Sequence, residues 1–261
     1  MTSAILVTGG SSGIGAAVVR LAAARGFAVA FTYRSRKAEA HALASEIERS
    51  GRRALALYAD VGREADIVRL FSDVDRLFEG LRLVGLVNSA GVGNPSGNVS
   101  SFTEASLSAL WATNITGTIL ASREAVKRFA AHSSGGSIVN VSSMAATIGG
   151  RPGASAYAAS KAAVDAFTVG LAKEVAIHGI RVNAVRPGLT RTAMTKAVTD
   201  DPARLEAAVA TIPIHRVATA DEVAKPILWL LSDEASFISG ARLDISGGGF
   251  VIRGVFPHES E

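Results

Sequence analysis

The sequence contains no cysteine, which excludes disulfides, iron–sulfur clusters and thiol nucleophiles and removes the ligand that most structural zinc sites use. Redox chemistry, if present, has to come from a bound organic cofactor. The histidines His41, His132, His178, His215 and His258 are scattered, and none has a second histidine or an acid at ligand spacing, so no metal site is expected. Long apolar runs are missing as well, with no stretch long and uncharged enough to span a bilayer. The first residues carry no basic start and only a short apolar run over 4–7, the pattern of a buried strand rather than a secretory signal. A cytoplasmic protein without a membrane partner is the expectation. Basic residues outnumber acidic ones, 27 to 23, but they fall in short groups (Arg34, Arg36, Lys37; Arg49, Arg52, Arg53) without interleaved aromatics, which argues against a nucleic-acid partner.

What the chain does have is apolar content, 48% of 261 residues, enough for one large core, and α/β folds commonly reach this length as a single domain. Short apolar or β-branched runs at 4–7, 28–33, 53–58, 83–88, 137–142, 181–186 and 241–245 alternate with amphipathic stretches. That alternation predicts a doubly wound α/β sheet of seven parallel strands with helices on both faces, one domain over 1–261. A long helix is expected over about 104–131 and another over 155–178, with Gly26, Gly51 and Gly179 at C-cap positions. Between about 189 and 219 the alternation breaks into short polar helical pieces, placed at the carboxyl end of a strand to act as a substrate lid. The lid carries Arg191, Lys196, His215 and Arg216, which would suit an anionic substrate if they faced inward, with surface exposure as the alternative. Residues 250–261 mix apolar and charged side chains and would either dock on a neighbouring subunit or fray.

Directly after the first strand stands Thr8-Gly9-Gly10-Ser11-Ser12-Gly13-Ile14-Gly15, followed by a helical run. Such a turn brings backbone N–H groups and a helix N-terminus against a pyrophosphate. Its spacing, G-x-x-x-G-x-G, differs from the common dinucleotide fingerprint, and a purely structural turn is the alternative at this point. The end of the second strand is where a dinucleotide fold reads the adenosine ribose, with an acid for NAD or a base for the 2′-phosphate of NADP. Here the residues are Tyr33-Arg34-Ser35-Arg36-Lys37, with no carboxylate. Arg34 offers a planar fork to a phosphate, which favours NADP(H) over NAD(H).

Tyr157-Ala158-Ala159-Ser160-Lys161 places a phenol and an ammonium four residues apart, on one face of a helix. A nearby ammonium favours phenolate and would bring the tyrosine toward the range where it exchanges a proton near neutrality. Ser142-Ser143 ends the strand before this helix, and Asn114 lies in the long helix before that.

Read in order, Thr8 to Gly15, Asp60-Val61, Asn88-Ser89-Ala90-Gly91, Asn114, Ser143, Tyr157-x-x-x-Lys161 and Pro187-Gly188 give a chain that resembles the short-chain dehydrogenase/reductase family over essentially its whole length. The resemblance implies a Rossmann-type fold and a catalytic tetrad of Asn114, Ser143, Tyr157 and Lys161. Tyr157 would act as acid/base, Ser143 would steady the substrate oxygen, and Lys161 would also hold the nicotinamide ribose. Asn114 would bind a backbone carbonyl or water near Lys161. It further implies cofactor contacts from Gly9, Ser11, Ser12, Gly13, Ile14 and Gly15 at the phosphates and from Asp60 and Val61 beside the adenine. Asn88, Ala90 and Gly91 would lie along the adenosine side, and Pro187, Gly188, Thr190 and Thr192 at the nicotinamide end; Thr192 alternatively caps the next helix. The substrate would be a small carbonyl compound or alcohol. A general carbonyl reductase is favoured, with sugar dehydrogenase and 3-oxoacyl thioester reductase as alternatives and a non-catalytic NADP(H)-binding sensor more remote. A homo-oligomer, dimer or tetramer, is implied, with Trp111, Phe129 and Phe167 as interface or core residues.

Three positions depart from the family pattern. Ser89 stands where a second asparagine is usual, the Ser143–Tyr157 interval is one residue longer than in many relatives and leaves Ser142 as a competitor, and Ser12 replaces a basic residue found in many NADP-dependent relatives.

Overall fold

The computed structural model describes residues 3–93, 98–131 and 135–249. The seven apolar runs become β1 (Ser3–Thr8), β2 (Ala28–Tyr33), β3 (Ala54–Tyr58), β4 (Arg82–Asn88), β5 (Gly136–Val141), β6 (Ile180–Pro187) and β7 (Arg242–Ile245). All neighbours pair in parallel, in the order β3-β2-β1-β4-β5-β6-β7. A parallel sheet is covered on both faces, and β2 is accordingly buried at every position. The connecting helices are α1 (Gly13–Ala24), α2 (Lys37–Arg49), α3 (Glu64–Leu77), α4 (Glu104–Trp111), α5 (Gly117–Ala130), the short α6 (Ala145–Ile148), α7 (Ser155–Val175), the short α8 (Lys196–Thr199), α9 (Pro202–Val209) and α10 (Ala220–Leu231).

Side chains alternate between the faces of a strand, so each strand feeds two cores. Ile5, Val7, Val29 and Phe31 pack with α1, α2 and α10, while Ala4, Leu6, Ala28 and Ala30 pack with α3, α5 and α7. The strand order reverses at β1, whose neighbours are β2 and β4. Connections leave in opposite directions there and open a crevice at the carboxyl ends of the strands, where ligands bind in such sheets. The register aligns Thr8 with Asn88 and Asn88 with Asn140, so three strand ends lie level at the floor of the crevice.

The expected single helix over 104–131 is interrupted. Residues Ala112–Thr116 form a turn of π-helix between α4 and α5. Two packing demands hold it. The side chain of Asn114 is turned into three hydrogen bonds with residues outside the helix, and Gly117 lies so close to Val61 that a Cβ there would be 2.6 Å from the Val61 carbonyl oxygen. A wider turn satisfies both without breaking the helix. The second long helix ends in a 3₁₀ turn, Ala176–His178, and Gly179 follows in the left-handed conformation expected of a C-cap.

The region from 189 to 219 is made of a 3₁₀ turn at Ala193–Thr195, α8, α9 and irregular backbone. It is tied to the body by a bridge between Thr190 and Ala218 and by the Ile214 N–H donating to the Gly247 carbonyl. Phe129 is wholly buried in the core beneath α5, which removes it as an interface residue, while Trp111 and Phe167 are half-buried. No group of histidines and acids among the described residues is arranged to hold a metal, and no described helix is long and apolar enough to cross a membrane. His132, His258 and the tail over 250–261 lie outside the described residues.

Candidate active site

The Gly-rich turn is shaped by close approach. Gly9 has φ of 67°, and a Cβ there would sit 2.7 Å from Ala90 Cα. A Cβ on Gly15 would be 2.3 Å from the Gly9 carbonyl oxygen, so the start of α1 folds back on the turn only with glycine there. Thr8 and Thr32 hold this turn against its neighbours: Thr8 Oγ1 accepts from the N–H groups of Ser89 and Ala90, both at 3.2 Å, and Thr32 Oγ1 accepts from the Gly9 N–H at 2.9 Å. Ser12 makes no side-chain capping bond to α1. The first-turn N–H groups of this twelve-residue helix therefore carry the positive end of the dipole into the crevice without a side-chain oxygen in front of them. A glycine-rich turn at a helix N-terminus that no side chain caps fits the pyrophosphate of a dinucleotide.

One continuous cleft runs from this cradle to Tyr157 and takes in nearly all of the residues singled out in the sequence: Gly9, Ser11, Ser12, Gly13, Ile14, Arg34, Asp60, Val61, Ala90, Gly91, Ser143, Tyr157, Lys161, Pro187, Gly188, Thr190 and Thr192. Gly15, Asn88 and Asn114 stand behind its wall. Asn88 is buried and its amide donates to Ser122 Oγ at 3.0 Å and Asn140 Oδ1 at 2.9 Å, with Asn140 passing on to Thr168 Oγ1. It therefore sets the end of β4 rather than facing the cleft. At the adenosine side Arg34 lies 3.8 Å from Asp60 with its side chain half exposed, and Ser35 and Arg36 join the lining. Thr192 does both things considered for it. It heads a capping box with Thr195, and its methyl group would be 3.2 Å from a Cβ on Gly13, directly across the cleft.

Asn114 Oδ1 accepts from the Val92 N–H at 2.9 Å, and its Nδ2 donates to the Val92 carbonyl and to Ser160 Oγ, each at 3.0 Å. One side chain thus locks both backbone groups of the segment after β4 and ties them to α7. Ser160, which residue types alone did not single out, also donates to the Tyr157 carbonyl at 2.6 Å. Of the two serines ending β5, Ser142 turns away and donates to the Lys161 carbonyl at 3.1 Å. Ser143 shares a hydrogen bond with the Tyr157 phenol and accepts from the Ala145 N–H.

Lys161 is buried, and its Nζ donates to the Val141 carbonyl at 2.8 Å. An ammonium carries three donors, so two remain for a ligand. Its Nζ stands 5.8 Å from the centroid of the Tyr157 ring. At that distance the expected depression of the phenol by Lys161 is not what the site delivers: burial pushes the Tyr157 phenol up from its ordinary value, opposed only by the Ser143 hydrogen bond. Burial acts on Lys161 as well, pushing its ammonium down to about 8, against the attraction of Asp165.

This has a consequence for stability. The unfolded chain holds the Lys161 proton to higher pH than the folded one does, so the penalty for burying the charge is complete below pH 8 and is relieved as pH rises from about 8 toward 10.5. Wild type should gain on the order of 3 kcal/mol across that window relative to Lys161→Met. Denaturant melts of the cofactor-free proteins at several pH values measure the difference, and parallel pH dependence of the two would contradict it.

The cations of the 189–219 region, expected as a lid, do not line the cleft. Arg216 pairs with Glu222 at 2.6 Å, Lys196 stands 3.7 Å from Asp200, and Arg191 donates to the Thr199 carbonyl at 3.4 Å. His215 is exposed. From 189–219 the cleft is lined instead by Thr190, Thr192, Ala193, Met194 and Thr195.

A family model described as enoyl-(acyl carrier protein) reductase matches residues 9–249. The chain is similar to the uncharacterized oxidoreductase YgfF of Escherichia coli, 43% identical over 93% of this chain and 98% of that protein. Among solved structures it is similar to a short chain dehydrogenase from Burkholderia cenocepacia in complex with NADP, with a TM-score of 0.87 and 37% identity over 95% of this chain and 97% of that one. It is also similar to a 3-ketoacyl-(acyl-carrier-protein) reductase from Brucella melitensis complexed with NADH, with a TM-score of 0.86 and 30% identity over 94% of this chain and 97% of that one. On a parallel seven-stranded sheet whose crevice carries a bare phosphate cradle at one end and Tyr157 beside Lys161 at the other, this coverage makes the chain a member of the short-chain dehydrogenase/reductase family and an oxidoreductase that uses a nicotinamide cofactor.

Proposed function

We propose that the protein is an NADP(H)-dependent carbonyl reductase in which Tyr157 exchanges a proton with the oxygen of a ketone, aldehyde or secondary alcohol. The observation that carries the reading is the hydrogen-bonded pair of Ser143 and Tyr157 in the cleft, with Lys161 Nζ 5.8 Å from the Tyr157 ring. The bound nicotinamide supplies hydride in reduction and accepts it in oxidation. As a carbonyl oxygen gains charge, the Tyr157 phenol donates its proton to it and Ser143 donates a second hydrogen bond. A phenol held protonated by burial suits the acid role that reduction requires. Lys161 would hold the nicotinamide ribose with its two remaining donors and places a positive charge near where negative charge develops. Asn114 acts at one remove, by fixing the Val92 segment and Ser160.

Arg34 supports NADP(H), with Arg36 beside it and no carboxylate in the segment 33–37. The uncharged lining that 189–219 gives the cleft supports an uncharged substrate over an anionic one, because the cations of this region are engaged with Glu222, Asp200 and the Thr199 carbonyl. The reading places the enzyme in the cytoplasm as a homo-oligomer, dimer or tetramer, the latter tested by its mass in solution.

The experiment is a panel of uncharged and carboxylated ketones and aldehydes, incubated with NADPH and separately with NADH and followed by loss of the reduced-nicotinamide absorbance. Turnover of uncharged carbonyls with NADPH is expected. Tight NADPH binding without turnover of any carbonyl would favour a cofactor sensor instead.

A further inference from the structure

We propose that Asp165, held by Arg186, is a positioning residue that keeps the Lys161 ammonium charged at the reacting centre. Tyr157, Lys161 and Asp165 succeed one another at four-residue steps along α7 and so share one face. Lys161 and Asp165 are both buried, at 6% and 5% exposure. A buried ammonium is costly unless a negative group compensates it, yet the hydrogen bond it makes is to a neutral carbonyl, that of Val141.

Asp165 is built in an unusual way for a structural tie. Its Oδ2 accepts from Arg186 Nε at 2.8 Å, while its buried Oδ1 has no hydrogen-bond partner. A buried carboxylate with one oxygen unsatisfied is a poor way to join α7 to β6, because the unmade bond costs more than a neutral replacement would. What the carboxylate supplies that a neutral side chain cannot is its field. Arg186 in turn reaches Asp244 of β7 at 3.4 Å, and that carboxylate is half exposed. A chain of alternating charge therefore runs from Lys161 through Asp165 and Arg186 to the sheet edge.

The groups that bear on Lys161 can be named from each element around it. On α7 they are Tyr157, 5.8 Å from Nζ to ring centroid, and Asp165, whose attraction opposes the effect of burial on the ammonium. From β5 comes the neutral Val141 carbonyl, and from the π turn the neutral amide of Asn114, whose Oδ1 and the Lys161 Nζ would lie 3.5 and 3.6 Å from a Cβ on Gly91. Arg186 on β6 and Asp244 on β7 act through Asp165.

The inference rests on the reading that Lys161 works as an ammonium, and it predicts shifts of opposite sign. The Lys161 titration is followed in the cofactor-free protein by carbon NMR of ¹³Cε-labelled lysine, with its signal identified by loss in Lys161→Met. NADPH affinity against pH is measured alongside. The wild-type midpoint is expected near 8. Asp165→Asn removes the negative charge and should lower the midpoint by about one pH unit. Arg186→Gln strips Asp165 of its neutralising partner and should raise it.

Each midpoint should carry the alkaline loss of NADPH affinity with it. Unmoved midpoints, or two shifts in the same direction as general loosening would give, would overturn the inference; if Asp165→Asn does not fold, the sign of the Arg186→Gln shift decides alone. A wild-type NADPH affinity with no Lys161-dependent fall at alkaline pH would instead sink the function reading together with this one.

Discussion

Tyr157→Phe should lose about 10²- to 10⁴-fold in the rate of carbonyl reduction, the range typical of removing a general acid, while binding NADPH almost as wild type does. The substitution deletes one oxygen and keeps the ring, so the packing of α7 against the cleft is retained. What it removes is the proton donor and the partner of Ser143. The cradle around Gly9 and the α1 N-terminus, at the other end of the cleft, are untouched. Single-turnover reduction with saturating NADPH reads the chemical step, and quenching or enhancement of nicotinamide fluorescence reads binding. A variant that reduces its substrate within the same order of magnitude as wild type would remove Tyr157 from the acid role, and one that no longer binds NADPH would make its part structural.

Arg34→Ala should raise the KM for NADPH by about 10- to 100-fold, the equivalent of one charge-assisted hydrogen bond of about 1.5–3 kcal/mol, and should leave the KM for NADH nearly unchanged. Arg34 is available for this work. Its pairing with Asp60 is long, 3.8 Å, and its side chain is half exposed, so a bond worth less than about 1 kcal/mol has to be given up. The same Asp60 sharpens the selectivity of the variant, because without Arg34 its carboxylate faces the 2′-phosphate unscreened. Arg36 also lines this part of the cleft and is a partial substitute. Initial rates with each cofactor decide the matter, since equal loss with NADPH and NADH would mean that Arg34 supports the adenosine half in general and does not read the phosphate.

Several features needed no coordinates. The seven strands are legible because a parallel sheet buries both faces and so demands uninterrupted apolar runs such as Ala28–Tyr33. The Gly-rich turn is legible because it stands between a strand and a helix, the context a phosphate cradle needs, and Gly26, Gly51 and Gly179 mark helix ends because left-handed backbone is cheap only for glycine. Tyr157 and Lys161 are legible as a pair because helical periodicity puts i and i+4 side by side. These are local facts, carried by residues close together in the chain.

The tertiary structure decided everything that depends on distant residues meeting. The π turn at Ala112–Thr116 arises from Val92, Ser160 and Val61, none of them nearby in sequence. That Asn88 faces Asn140 rather than the cleft and that Ser143 and not Ser142 meets Tyr157 both turn on side-chain direction, which periodicity does not specify. Electrostatics belongs here too. Sequence spacing argues that Lys161 lowers the tyrosine, because it counts the neighbouring charge. The folded site also counts burial, which raises the phenol and lowers the ammonium together. The sequence alone thus determined that Tyr157 and Lys161 share one helix face, whereas their protonation was decided by how far the fold removes them from water, since the cost of a charge depends on its surroundings in three dimensions.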